Sequence, residues 1–234
     1  MAIITFTDTI GIHPSFKPVP ASHLIPSWYQ EIDSYVSGKK VPLENSATSG
    51  TIKRCMPVFD AIVAGYLILS LTDVWVSPKK IEGNEKTHPF YQWSSGSPID
   101  FHPIEQAPNH PNANGSPFPK WQNPWGIKTP PGYSTFFTNP VHHKLPFTIL
   151  TAIVDTDTYT APVNFPFTLN NVDFEGLIPA GTPIAQAIPF KRESWKMEIG
   201  KDAEREQANK NLTLLKSKFF DSYKNQFRQK KEYL

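Results

Sequence analysis

Proline breaks this chain into short pieces. Twenty-four prolines are spread over 234 residues. Each fixes φ and removes a backbone donor, which confines it to turns, edge strands and extended loops. Between residues 81 and 123, Pro98, Pro103, Pro108, Pro111, Pro117 and Pro119 predict a long loop with neither a long helix nor a central strand. Tyr91, Trp93, Phe101, Phe118 and Trp121 lie in the same stretch and are expected to pack it onto the body of the domain. A loop of this length inside a compact domain carries function or meets a partner more often than a short one.

The segments around this loop read as β-strands. Residues 3–6 form a short apolar run, and Tyr66-Leu67-Ile68-Leu69 is apolar on both faces, which predicts a strand covered on both sides. Residues 72–76 alternate, and the stretch 127–192 is a series of short strands separated by turns. Pro26 is placed to open a short helix carrying Trp28, Ile32 and Tyr35. The chain reads as mainly β, with one β-rich domain over 1–199, its core at about 50–195, and a separate element over 200–234.

That last element has helical periodicity. Leu212, Leu215, Phe219, Tyr223 and Phe227 recur at spacings of three and four, predicting one amphipathic helix over 202–231 with Asp202 as its N-cap. Its apolar stripe must be covered, so it is expected to pack on the body or on a neighbouring subunit. Residues 201–234 hold nine Lys/Arg against five Asp/Glu, and the rest of the chain holds 14 against 16. Acid at the helix start and base at its end suit the helix dipole, so the basic cluster does not require nucleic acid. A net charge of +2 is too small to imply a nucleic-acid or membrane partner.

Cys55 is the single cysteine, which excludes an intrachain disulfide and fits a reducing compartment. The opening MAIITFTDTIGIH has no signal-peptide pattern, and no apolar run approaches the roughly 20 residues of a spanning helix. A cytosolic protein is expected.

Few residues stand out as chemical. Asp155 and Asp157 lie two apart, and on a strand both carboxylates would share a face, a geometry that suits a metal or a water-activating base. The alternative is a hairpin segment with solvated acids. His102, His110, His142 and His143 show no metal-ligand spacing and read as loop histidines; Asp100 and His102 would share a strand face. Cys55, flanked by apolar residues, reads as a small core residue. Trp28, Trp93, Trp121 and Trp125 are interleaved with proline rather than with Lys/Arg, which favours packing over base stacking. No phosphate-loop, dinucleotide-binding or nucleophile-elbow pattern occurs.

Two family resemblances go further. The segments IPSWYQEI, TIKRCMPVFDAIVAGY, WQNPWGIKTPPGY, VDTDTYTAPVNFPF and EGLIPAGTPIAQAIPFKRESW resemble an uncharacterised family of proteins of large tailed phages. This implies a phage protein, in the cytoplasm of an infected host cell or in the virion, with other phage proteins as partners.

Residues 130–190 resemble the β-clip of trimeric dUTPases and dCTP deaminases, through AIVDTD at 152–157 and GTPIAQAI at 181–188. The resemblance implies a β-clip or distorted barrel with long Pro-rich loops and a C-terminal helix, and a homo-oligomer such as a trimer. It also implies Asp155 as the carboxylate that orients the hydrolytic water, with Asp157 beside it, Tyr159 near the sugar and Ser134 at the phosphate-contact segment. Mg²⁺ would enter only if the chain is such an enzyme; otherwise no cofactor is expected. Leu67 stands where the first motif of that family has an aspartate, no arginine adjoins Ser134 in the chain, and a charged helix replaces the glycine-rich phosphate arm. The leading expectation is therefore a non-catalytic structural or interaction protein on this scaffold. The alternative is a deoxynucleotide pyrophosphatase or deaminase, with Lys120, Lys128 or Lys144 as phosphate-binding cations.

Overall fold

Among the described residues, four small antiparallel sheets carry the structure. The computed structural model describes residues 2–11, 16–39, 49–80, 87–107, 110–112, 117–217 and 221–234. In chain order the strands are β1 (Thr5–Asp8), β2 (Val19–Pro20), β3 (Tyr66–Leu69), β4 (Val74–Lys80), β5 (Thr87–Trp93), β6 (Ile99–His102) and β7 (Phe118–Trp121). They continue as β8 (Trp125–Lys128), β9 (Tyr133–Thr138), β10 (Phe147–Ile149), β11 (Ala152–Val154), β12 (Phe165–Leu169), β13 (Gly176–Ile178) and β14 (Pro183–Lys191). The sheet orders are β1-β8, β10-β12-β7-β6, β11-β9-β14-β3-β2 and β13-β4-β5.

The chain forms two compact units. One comprises Met1–Leu24 and Gly65–Arg192, and the other Ile25–Ala64 and Glu193–Leu234. The first unit is the mainly β body expected from the proline punctuation. Its core is aromatic and β-branched: Trp121, Phe137, Phe147, Phe165 and Phe167 are buried with Ile68, Val74, Val76, Ile127, Ile178 and Ile184. Three of the four β3 residues, Leu67, Ile68 and Leu69, are buried, as its apolar run predicts. Leu67 packs with Ala21 and Leu69 in a small cluster of its own.

The Pro-rich stretch departs from expectation. Within it, β5, β6 and β7 form, and β7 lies inside its sheet between β12 and β6 despite Pro119. The ladder explains the tolerance. On the β12 side, β7 pairs only through Lys120 and Trp121, whereas Pro119 pairs with Phe101 on the β6 side alone. Proline thus sits where the strand is one-sided, and the rule against proline in a two-sided ladder is kept residue by residue. Pro108 falls outside the described residues.

The second unit is helical. It contains α1 (Ser27–Glu31), α2 (Met56–Ile62), α3 (Asp202–Ser217) and α4 (Ser222–Gln226). Pro26 precedes α1 in extended backbone rather than occupying its first turn, and α1 stops where Ile32 turns extended. Pro57 sits in the first turn of α2, where its missing N–H costs no hydrogen bond. The single C-terminal helix expected over 202–231 is two helices. Asp221, just before α4, has a left-handed φ of 63° that a continuous helix does not allow. Phe219 lies outside the described residues. Nor is Asp202 the N-cap: it begins the helix, and Glu204 Oε2 reaches back to accept the amide of Lys201 at 2.9 Å.

Aromatic and ionic contacts hold this unit together. Tyr29 Oη donates to the Lys53 carbonyl at 2.9 Å and its ring stacks on Phe59 at 6.0 Å. Arg228 donates to Asp60 Oδ1 at 2.6 Å, with both side chains largely buried, and holds the Asp60 carboxyl below its ordinary range. Arg54 pairs with Asp221 and lies 4.6 Å from the Tyr35 ring centroid. Asp221 is thereby held in its left-handed turn by an ion pair. Cys55 is half-buried immediately ahead of α2.

Candidate functional site

The two aspartates do not lie on a strand. β11 ends at Val154, and residues 155–159 form a turn in which the Asp155 carbonyl accepts the amides of Thr158 at 3.1 Å and Tyr159 at 2.8 Å. The shared strand face expected from their spacing is absent. Their carboxylates nonetheless converge, because a third residue collects them.

That residue is Arg192. β14 pairs antiparallel with β9 as far as Lys191 opposite Tyr133, and the Arg192 amide then donates to the Gly132 carbonyl at 2.8 Å. This places the guanidinium over the start of β9 and the 155–157 turn. Its Nη1 lies 2.8 Å from Asp157 Oδ1, 3.2 Å from Asp155 Oδ1, 3.1 Å from Ser134 Oγ and 3.0 Å from the Tyr133 carbonyl. Its Nη2 pairs with Asp157 Oδ2, completing a two-pronged contact. Ser134, fully buried, donates its hydroxyl to Asp155 Oδ1 at 2.6 Å.

The two acids differ in consequence. Only 6% of the Asp157 side chain is exposed, against 62% for Asp155. The Arg192 hydrogen bonds, followed by the Gly132 amide at 2.8 Å, hold the Asp157 carboxyl at about 2. Asp157 is thus an ionised anchor at neutral pH, and the same contact pushes Arg192 further up. Beneath the turn, the buried hydroxyls of Thr129 and Thr135 each lie 2.8 Å from Thr156 Oγ1. Ser134, Asp155 and Asp157 are therefore brought together, by Arg192 and not by a shared strand face. Tyr159 is exposed at the end of the same turn, its amide donating to the Asp155 carbonyl. Arg192 and the three threonines were not anticipated.

The donor set does not suit Mg²⁺. A divalent cation between Asp155 and Asp157 would replace or oppose a guanidinium already within hydrogen-bond distance of both carboxylates. Among the described residues no group of three or more His, Cys, Asp or Glu side chains converges on one point. His102 contacts Gln106 at 2.5 Å, and the His110 ring packs edge-on against Phe118. Burial lowers the basicity of His143, against a hydrogen bond with the Leu24 backbone. Of the proposed phosphate-binding lysines, Lys120 is held by Asp100 at 2.8 Å; Lys128 and Lys144 are exposed. Trp121 and Trp125 are buried, Trp93 is half-buried, and Trp28 is partly exposed.

A cleft of about 730 Å³ lies elsewhere in the β unit, bordered by Thr72, Ser95, Asp100, Gln122 and Asn164 among others. Its size falls in the range of small-molecule sites. None of Ser134, Asp155, Asp157 and Tyr159 borders it.

No family model matches the chain, and a comparison with curated proteins finds no match. Among solved structures, the native dUTPase of EIAV is similar over 59% of this chain and 84% of that one, at 13% identity and a TM-score of 0.33.

Proposed function

We propose that this protein is a non-catalytic structural or interaction protein of a phage, built on a dUTPase-like β scaffold. Its place is the cytoplasm of the infected cell or the virion, and its partners are copies of itself and other phage proteins. The phage setting is drawn from the sequence resemblance. The observation that carries the non-catalytic reading is the Arg192 guanidinium seated against both Asp155 and Asp157. A water-orienting carboxylate needs a lone pair directed at the water, and triphosphate chemistry needs cations around the phosphates. Here Asp157 is closed by Arg192 and Gly132, Asp155 Oδ1 is taken by Ser134 and Arg192, and the nearest arginine is consumed by the acids it faces. The constellation works as a clasp: it ties the end of β14 to the start of β9 and to the 155–159 turn.

The alternative is a deoxynucleotide-binding enzyme using Asp155. It draws on one observation: Asp155 stays mostly exposed, receives the Ser134 hydroxyl and shares its turn with exposed Tyr159. A thermal-shift screen of the full chain against deoxynucleoside triphosphates, with and without Mg²⁺, separates the two readings. The clasp reading expects no shift with dUTP or dCTP. A ligand present at about 100 times its Kd would stabilise the fold by about 2.7 kcal/mol. Such a shift, with product formation abolished in a folded Asp155→Asn variant, would establish the enzyme and refute the clasp reading.

A further inference from the structure

The cleft of about 730 Å³ stands where strand pairing brings loop ends together. Val74 pairs with Trp93, Ile99 and Phe165 pair with Trp121, and Asp8 pairs with Trp125. The turns beside these residues therefore meet. They are Leu71 and Thr72 before β4, residues 95–98 between β5 and β6, residues 122–124 between β7 and β8, and Pro162 and Asn164 before β12. All of them belong to the first unit. Hydrogen bonds fix the walls. The Gln122 amide donates to the Pro98 carbonyl at 2.8 Å, and Thr9 donates its amide and its hydroxyl to the Pro124 carbonyl at 3.1 and 2.7 Å. Asn164 ties two of the loops, donating Nδ2 to Gln122 Oε1 and accepting the Asn123 amide on Oδ1, each at 3.0 Å. A preformed cavity of this size is the usual form of a small-molecule site.

The lining selects by charge and by donor set. Asp100 is the one charged side chain among the described lining residues, and Lys120 already holds it at 2.8 Å. No described Lys, Arg or His lines the cleft, so a phosphate or carboxylate finds no charge partner on its walls. No described aromatic ring lines it either, so a nucleobase lacks a stacking surface. The groups that remain are neutral, and they both donate and accept. Asn164 occupies Gln122 Oε1, which leaves the Nε2 protons of Gln122 without an acceptor among the described residues. The Ser97 hydroxyl has no partner among them. Those of Ser95 and Thr72 meet only at 3.5 Å, beyond a good hydroxyl–hydroxyl distance. Leu71, Pro98, Pro124 and Pro162 supply apolar wall between these groups.

We infer that this cleft binds a neutral saccharide of disaccharide size, with its hydroxyls on Gln122 Nε2, Ser95 and Ser97. A sugar has the complementary make-up. Each of its hydroxyls donates one hydrogen bond and accepts others, which serves the amide and the serines alike. Its C–H faces pack on leucine and proline. It carries no charge, so the Asp100–Lys120 pair stays intact when it enters. Arg192, Ser134, Asp155 and Asp157 do not line the cleft, so this inference and the clasp reading fail separately.

The test is saturation-transfer NMR of the full chain with maltose, lactose, sucrose and chitobiose at millimolar concentration, beside citrate and dUMP as anionic probes. At least one of the sugars should receive saturation, with a Kd in the millimolar range or tighter, and neither anion should bind in the cleft. Gln122→Met keeps the side-chain length, removes both Nε2 donors and should weaken that sugar about tenfold. It also takes the acceptor of Asn164, so its fold is checked by melting. Ser97→Trp puts a bulky ring on the wall at an exposed position and leaves the wall hydrogen bonds untouched. This variant should melt like wild type and lose sugar binding, and it decides the matter if Gln122→Met unfolds. No transfer to any of these sugars, transfer that survives Ser97→Trp, or anion binding that Ser97→Trp abolishes would overturn the inference.

Discussion

Gly65→Ala is expected to lower stability by about 4 kcal/mol or more, among the largest effects available to a single methyl group. Gly65 directly precedes β3 and has a left-handed φ of 66°. For a residue with a Cβ that backbone costs about 1–2 kcal/mol by itself. The larger effect is steric. An added Cβ would meet the Ala187 carbonyl oxygen at 2.0 Å, and that oxygen belongs to β14, whose Ala187 pairs with Tyr66. Neither atom can swing aside as a side chain would, so the central β14–β3 ladder must open. The melting temperature should fall by about 8–16 °C. Gly96→Ala is the control: its φ is 69°, but nothing lies within 4 Å of the added Cβ, so only the conformational cost of about 1–2 kcal/mol should appear. Equal losses at both positions would contradict the close approach between β3 and β14.

Phe167→Ala is expected to cost about 3–5 kcal/mol. Phe167 lies on β12, fully buried, with ring centroids 5.0 Å from Trp121, 5.5 Å from Phe147 and 5.9 Å from Tyr91. Truncation removes the ring that joins side chains from β5, β7 and β10, and these large neighbours cannot all close the gap. Urea unfolding should show a lower midpoint with an unchanged slope. Ile153→Ala, on edge strand β11 with its side chain mostly exposed, should stay within about 0.5 kcal/mol. A Phe167→Ala loss below about 1 kcal/mol would mean that this cluster is not the centre of the core.

The body of the fold was legible because its signals are local. Prolines, alternating runs and the doubly apolar Tyr66-Leu67-Ile68-Leu69 segment each report on a few adjacent residues, and β3, β9 and β14 appear where such runs occur. Two kinds of feature were not legible. Proline is forbidden only where its missing N–H faces a partner strand, and Pro119 escapes because the β12 ladder begins at Lys120. That depends on strand order, which the residues near Pro119 do not encode. The apolar spacing of the tail predicts one helix, but Asp221, paired with distant Arg54, takes a left-handed φ that no local spacing reveals.

The candidate site shows the same division. Asp155 and Asp157 stand out because they lie in one contiguous run, AIVDTD, whereas Ser134 follows only from the family resemblance. Arg192 gives no signal beside Ser134 along the chain, because it arrives across the ladder, one residue past the Lys191–Tyr133 pair. A register drawn between PFKR and GYS would have put it there. The Thr129–Thr135–Thr156 hydroxyl cluster gives no sequence signal, since three separate threonines are ordinary in β-rich chains.

The central claim is that Arg192, Asp157 and Ser134 form a structural clasp. A double-mutant cycle between Arg192→Ala and Asp157→Asn, read by equilibrium unfolding, tests it most directly. Removing either partner takes away the two-pronged ion pair and leaves only the weaker contacts of each to Asp155, Ser134, the Tyr133 carbonyl or the Gly132 amide, so each single variant should be destabilised. The double variant should be no worse than the poorer single one, and Asp155→Asn should stay close to wild type. Additive losses, or single variants as stable as wild type, would contradict the clasp.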